Sequence, residues 1–217
     1  VTSGTAVKIL TGAPIPDGAD TVVKYEDTEF TATEVKLFSP AKSGENIVTA
    51  GEDVAKGTVL VEQGTVITAP ILGLLAALGL AEVVVYKRPR IAILSTGDEL
   101  LDVSEPLVPG KIRNSNSYTL QGYLRTCGAE PVDIGMVKDR KEQVAAKIEQ
   151  GLAKADMVIT TGGVSVGDYD VVKEALELLG AEILYWKIDI KPGSATLAAH
   201  KDGKLIIGLS GNPAAAM

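Results

Sequence analysis

A paired-glycine turn, a scatter of carboxylates and two lysines carry most of the chemistry this sequence can do. After the apolar run Met157-Val158-Ile159-Thr160 comes Thr161-Gly162-Gly163-Val164-Ser165-Val166-Gly167-Asp168-Tyr169-Asp170, followed by a helical pattern. Paired glycines let a backbone bend sharply and bring N–H groups close to a ligand, and the next helix start adds its positive end. An anion seated there gains up to about 2 kcal/mol from the helix dipole. The spacing from Gly162 to Gly167 matches the opening of a Walker loop, but Asp168-Tyr169 stands where Lys-Ser/Thr is needed to clamp phosphate. An ATPase loop is therefore disfavoured, and the GxGxxG dinucleotide pattern also fails. Read without a ligand, the same residues are a plain strand-to-helix turn.

The acidic candidates follow other strands. Ser95-Thr96-Gly97-Asp98-Glu99-Leu100 comes directly after Ile91-Ala92-Ile93-Leu94. Two carboxylates at a strand's carboxyl end can hold a hard cation such as Mg²⁺, although Ser95 or Asp98 can equally cap a turn. Asp139, in Lys138-Asp139-Arg140, reads alone as a helix cap. Together, Asp98, Glu99, Asp139, Asp168 and Asp170 are expected at one sheet end, where they would repel each other without a cation or basic ligand among them. That clustering predicts a metal-assisted site, and leaves open which of the five carboxylates hold the cation. Lys187 and Lys191 lie in Trp186-Lys187-Ile188-Asp189-Ile190-Lys191-Pro192-Gly193. If that segment is extended they share a face with Asp189 and can balance a phosphate; otherwise they are a solvated edge with a weak ion pair. In Arg113-Asn114-Ser115-Asn116-Ser117, Ser115 or Asn116 either caps the following helix or reaches a ligand. Lone Cys127 is expected to be inert core, and His200 to sit in a hairpin turn. With no second histidine, a Ser-His-Asp or Cys-His hydrolase is disfavoured.

The elements that must position these groups change character along the chain. Up to residue 46 the sequence is strand-like and turn-rich, with runs Ala6–Leu10, Thr21–Tyr25 and Thr33–Phe38 separated by turns such as Gly12-Ala13-Pro14-Ile15-Pro16-Asp17-Gly18. Residues 47–87 form a linking region with a helix predicted over Ala69–Gly79, ending on a glycine that suits a C-cap. From residue 88 onward, continuous apolar runs mark strands buried on both faces. Strands at 91–94, 131–137 and 157–160 alternate with helices at 117–127, 141–153 and 171–179, and 194–199 with 205–209 reads as a hairpin. This is an α/β fold: a mainly parallel sheet with flanking helices over 88–217, preceded by a smaller β-rich lobe (1–46) and a helical linker lobe (47–87).

Composition limits the partners. With 46% hydrophobic residues over 217 positions the chain can bury a core, and its apolar run Ile71–Ala81 is too short to span a bilayer. A net charge of −7 disfavours nonspecific binding to nucleic acid or acidic membrane, so an anionic ligand needs local donors. One cysteine excludes an internal disulfide and a cysteine-based zinc site, which fits a cytoplasmic setting. Both ends read as cut, since Ser210-Gly211-Asn212-Pro213-Ala214-Ala215-Ala216-Met217 starts a helix and stops; the expectation is a fragment of a longer protein.

Thr11-Gly12-Ala13-Pro14-Ile15-Pro16, Gly51-Glu52-Asp53, Ser95-Thr96-Gly97-Asp98-Glu99-Leu100, Gly162-Gly163-Val164-Ser165-Val166-Gly167, Lys191-Pro192-Gly193 and Gly211-Asn212-Pro213 occur together and in order. The set resembles the MoeA/gephyrin E-domain family of molybdopterin molybdenumtransferases. The resemblance implies insertion of molybdate-derived metal into adenylated molybdopterin (molybdopterin-AMP), with Mg²⁺ and release of AMP, by a homodimer. It places acidic roles on Asp53, Glu99, Asp139 and Asp170, with Glu99, Asp139 and Asp170 as the metal ligands, basic roles on Lys187 and Lys191, and pterin binding on Thr96, Gly97, Gly162, Gly163, Ser165 and Gly167. It also implies a molybdopterin adenylyltransferase as a partner. Two departures stand out: Pro192-Gly193-Ser194-Ala195 replaces PGKP and loses a basic side chain, and Ser210-Gly211-Asn212-Pro213 replaces PGNP. A non-catalytic pterin-binding or scaffold module, and an adenylyltransferase, stay open as alternatives.

Overall fold

The computed structural model describes residues 1–164 and 170–217, in two compact units, Val1–Val83 and Val84–Met217. No described helix is long and apolar enough to cross a membrane.

The first unit has little regular structure. Its strands β1 (Thr28–Phe30) and β2 (Val35–Leu37) pair antiparallel, and helix α1 spans Ala69–Ala77. No residue of this unit is buried. The runs expected as strands at 6–10 and 21–25 do not form ladders. The Val22 amide instead donates to the Glu45 carbonyl at 3.0 Å, and Asn46 Nδ2 donates to the Val22 carbonyl at 2.8 Å, so a polar turn takes the hydrogen bonds a neighbouring strand would have used. Helix α1 stops as its sequence predicts: Gly79 N–H reaches the Ala76 carbonyl and Leu80 N–H the Leu75 carbonyl, the paired bonds of a glycine C-terminal cap.

The second unit holds the sheet. In chain order it contains β3 (Arg90–Thr96), β4 (Leu100–Leu101), β5 (Ile112–Arg113), α2 (Ser115–Thr126), β6 (Glu130–Val137), α3 (Lys141–Lys154), β7 (Met157–Thr161), α4 (Val171–Leu178), β8 (Glu182–Trp186), β9 (Leu197–Lys201), β10 (Lys204–Leu209) and α5 (Pro213–Ala216). Six strands are ordered β6-β3-β7-β10-β9-β8. The first four are mutually parallel, while β9 runs antiparallel to both neighbours. The continuous apolar run in β3 is explained by two cores. Ala92 and Leu94 face one packed against α3 and α4, with Ile148, Val144 and Leu176 fully buried. Ile91 and Ile93 face a smaller one against Leu120 of α2. Lys204 closes the end of α3, donating from Nζ to the Leu152 and Ala155 carbonyls at 2.5 and 2.9 Å.

Several expectations change. Cys127 is exposed, because it is the C-cap of α2 rather than part of its buried stripe. His200 lies within β9, and the hairpin turn falls at Asp202-Gly203. The segment after Trp186 is not extended: Lys187 has φ 70°, and its amide donates to the Thr196 carbonyl at 2.9 Å. The spacing argument that put Lys187, Asp189 and Lys191 on one strand face therefore does not hold.

Candidate functional site

Parallel strands deliver their carboxyl ends to one edge. The residues after β3, β6, β7 and β10 emerge there, and β8, reversed twice through β9, runs the same way and adds Lys187. Thr96-Gly97-Asp98-Glu99, Lys138-Asp139-Arg140, Thr161-Gly162-Gly163 and Ser210-Gly211-Asn212 thus line one edge of the sheet, where α/β folds hold their ligands.

The glycine turn is built by close backbone approach. Gly162 has φ 85°, and a Cβ there would overlap the Thr96 carbonyl oxygen; one on Gly163 would lie 2.7 Å from Val171 Cγ1 and 2.8 Å from Thr96 Cγ2. Only glycine permits this packing. The Gly162 amide is spent on the sheet, donating to the Leu209 carbonyl at 3.1 Å, so it is not a free donor for an anion as the sequence suggested. The candidates Ser165 and Gly167, with Asp168, lie outside the described residues.

The carboxylates separate into different roles. The Thr96 hydroxyl, 1% exposed, donates to Asp139 Oδ1 at 2.5 Å. The Glu99 carboxylate folds against Gly97, within 2.7 Å of where a Cβ would sit. Asp139 and Glu99 are thereby held against the consecutive residues Thr96-Gly97. Asp170 does something else. It is 4% exposed; Oδ1 accepts from the Lys173 amide at 2.9 Å, capping α4, and Oδ2 accepts from Trp186 Nε1 at 2.8 Å. These bonds tie the helix start after the glycine turn to the end of β8. Among the described residues no group of three or more His, Cys, Asp or Glu side chains converges as a metal set. Asp53 is exposed in the first unit.

The basic groups gather around the indole. Lys187 Nζ lies 4.1 Å and Lys173 Nζ 4.9 Å from the Trp186 ring centroid, within cation–π range. Lys191 precedes Pro192 through a cis peptide bond, at the turn leading to Gly193. Replacing Trp186 by phenylalanine keeps an aromatic face but leaves Asp170 Oδ2 without its indole donor. The expected result is a stability loss of about 1–3 kcal/mol in urea unfolding. An unchanged unfolding midpoint would show that this bond holds nothing together.

The other side of the edge, toward α2, is polar and buried. Asn114 caps α2, its Oδ1 accepting from the Ser117 amide at 3.3 Å and from the Ser95 hydroxyl at 3.0 Å. Asn116 Nδ2 donates to Thr161 Oγ1 at 2.7 Å and to the Gly211 carbonyl at 2.9 Å, joining α2 to the ends of β7 and β10. A recess of about 30 Å³ lies beside these residues, also bordered by Thr96, Glu99 and Gly162. In the loop beyond β4, the Ser104 amide and hydroxyl hold exposed Asp102 below the usual carboxylate range. Trp186 and Asn116 are the residues sequence reasoning undervalued. The signal for Asn116 was its place in a polar run opening a helix; nothing local marked Trp186.

Residues 92–217 match the family described as a probable molybdopterin binding domain, and residues 1–79 match the MoeA N-terminal region (domains I and II). The chain belongs to the molybdopterin-binding domain family. The first match begins within β3 and takes in every strand end described above. Among its relatives are proteins named molybdopterin molybdenumtransferase. That of Bacillus subtilis (strain 168) is 45% identical over 97% of this chain, and that of Staphylococcus aureus (strain Mu50) is 43% identical over 97%. The chain spans 50% of the length of each. A crystal structure of the MoeA molybdopterin biosynthesis protein from Pyrococcus horikosii aligns with TM-score 0.79 at 32% identity, covering 93% of this chain and 50% of that one.

Proposed function

We propose that this chain is the substrate-holding part of a molybdopterin molybdenumtransferase, which inserts molybdate-derived metal into adenylated molybdopterin and releases AMP. The observation that carries the reading is the convergence of Thr96-Gly97, Glu99, Asp139 and Gly162-Gly163 on one sheet edge, within the stretch matched to the molybdopterin-binding family. Lys187 and Lys191 supply positive charge toward the phosphates of the substrate, and Thr96, Gly97, Gly163, Ser165 and Gly167 belong to the pterin-holding loops. Asp53 keeps the acidic role that the resemblance gives it; residues 1–46 are part of a β-rich lobe and 47–87 part of a linker lobe whose last four residues fall in the second unit.

Mg²⁺ fits two of the three expected ligands. It is commonly held by one or two carboxylates, with waters and substrate phosphates completing its octahedron. Glu99 and Asp139, both held against Thr96-Gly97, suit that role. Asp170, with an oxygen on the Lys173 amide and another on the indole, suits positioning instead. When bound, the cation would offset phosphate charge as the anhydride to AMP breaks. The protein's own residues then keep the phosphates near Lys187 and Lys191 and hold the reacting end at the sheet edge. We propose further that the intact protein works as a homodimer in the cytoplasm and receives its adenylated pterin from a molybdopterin adenylyltransferase.

The test is AMP release and cofactor formation by the full-length chain with adenylated molybdopterin, molybdate and Mg²⁺. Tight pterin binding with no AMP release under any of these conditions would leave only the non-catalytic module. Lys191→Ala is expected to weaken binding of the phosphorylated pterin roughly fivefold to tenfold at low salt and less at high salt, because ions screen an exposed charge. Equal affinities at every ionic strength would remove this lysine from the site.

A further inference from the structure

Trp186 and Lys187 are consecutive, yet the Lys187 ammonium lies 4.1 Å from the centroid of the Trp186 ring. In an extended strand neighbouring side chains point to opposite faces. That alternation breaks at the end of β8, where Lys187 takes a left-handed φ of 70° and its amide donates to the Thr196 carbonyl at 2.9 Å. A residue with a Cβ seldom adopts this backbone, and it persists only where the surrounding structure holds it. The indole is held as well. Its Nε1 donates to Asp170 Oδ2 at 2.8 Å, and Asp170 is 4% exposed. Donation to a carboxylate polarises the ring and enriches its π system, so the bond that fixes the indole also strengthens its face toward a cation. A second ammonium, Lys173 Nζ, lies 4.9 Å from the centroid, but it is paired with Glu177 Oε1 at 3.1 Å.

We infer that Trp186 is a positioning residue for Lys187: its π face holds the ammonium at the carboxyl edge of the sheet, ready for a phosphate of the substrate. The inference rests on the substrate reading above, which gives Lys187 its phosphate role. Lysine carries its charge on a flexible four-carbon stem. Confining that charge before the substrate arrives removes part of the ordering cost from binding. The π face attracts the ammonium through its quadrupole and carries no charge of its own, so the positive charge is left for an anion. Trp186 thus serves two ends. Its N–H holds the fold through Asp170, and its face holds Lys187 for the substrate.

The experiment measures KM and kcat for AMP release from adenylated molybdopterin by the full-length chain, with fluorinated tryptophans in place of Trp186. Fluorine keeps the indole's shape and makes its N–H a better donor to Asp170, but withdraws electron density from the π face. The expected result is a KM that rises stepwise with fluorination, by about fivefold between tryptophan and tetrafluorotryptophan. Turnover at saturation should stay within about twofold, and the urea midpoint should not fall. Trp186→Phe, which keeps a face and loses the N–H, should unfold at lower urea yet hold KM within about threefold. Trp186→Leu should lose both stability and affinity. A purely structural role would leave KM flat across the fluorine series and would weaken Phe and Leu alike, which overturns the inference. The fluorine series breaks no bond, so it decides even if Trp186→Leu does not fold. Lys187→Ala should raise KM and abolish the dependence on fluorine; a dependence that persists in this variant assigns the contact to Lys173 and also overturns the inference. A flat series alongside a raised KM in Lys187→Ala removes this inference alone. An unchanged KM in Lys187→Ala removes the lysine's phosphate role as well, and absence of AMP release by the unaltered chain removes the substrate reading with both.

Discussion

Gly162→Ala is expected to abolish AMP release and to destabilise the second unit by about 3 kcal/mol or more. Its new methyl would overlap the Thr96 carbonyl, and the residue keeps φ at 85°. The obstacle is backbone, so no side-chain rotation relieves it. Relief requires the end of β7 to move away from the end of β3, which pulls the Gly162 amide from the Leu209 carbonyl and disturbs the packing of Gly211 against Gly162. Gly180 is the control. It also has a positive φ, 66°, but a Cβ there meets no atom within 4 Å. Gly180→Ala should therefore cost only about 1–2 kcal/mol, the backbone penalty alone, and leave turnover intact. Urea unfolding and AMP release on both variants check this. Equal losses would mean that the turn is ordinary left-handed backbone with no close approach behind it.

The second large effect separates the three acidic candidates. Glu99→Gln and Asp139→Asn are isosteric, and the amide oxygen introduced by Asp139→Asn could still accept from the Thr96 hydroxyl. Both are expected to lower cofactor formation at least about a hundredfold, the scale of losing a charge that stabilises a developing transition state, while leaving stability within about 0.5 kcal/mol. Asp170→Ala should behave in the opposite way. It removes a helix cap, worth about 1 kcal/mol, and strands the Trp186 indole N–H, which adds roughly 1–3 kcal/mol. Its activity should then recover under conditions that restore folding, such as lower temperature. Should Asp170→Asn fold normally yet lose activity as completely as Glu99→Gln, Asp170 belongs with the cation and not with the scaffold.

Both predictions depend on contacts of different range, and range decides what could be read in advance. The buried strands were legible because uninterrupted apolar runs such as Ile91–Leu94 have one economical use, a strand covered on both faces. The helix end at Gly79 was equally local, since that glycine closes its own helix through bonds to the preceding turn. In the first unit the same rules failed. Alternating runs at 6–10 and 21–25 looked like strands, but a strand exists only where a partner accepts its hydrogen bonds, and a polar turn took those of Val22.

The site followed the same division. Chain order and the α/β pattern were enough to bring Thr96, Glu99, Asp139 and Gly162 to one sheet edge, because parallel strands joined by right-handed crossovers leave their carboxyl ends together. Among the described residues the expected carboxylates do not gather as one group. The edge has two sides, α3 and α4 covering one core and α2 the other, and side chains that share an edge need not share a point. Asp170 found its partner on a strand 16 residues away, and Asn116 found partners 45 and 95 residues away. The sequence alone determined which residues could turn, cap or carry charge, since those are properties of single residues and their near neighbours. Which oxygen was consumed by scaffolding depended on chain segments meeting in space, and only the folded structure decided that.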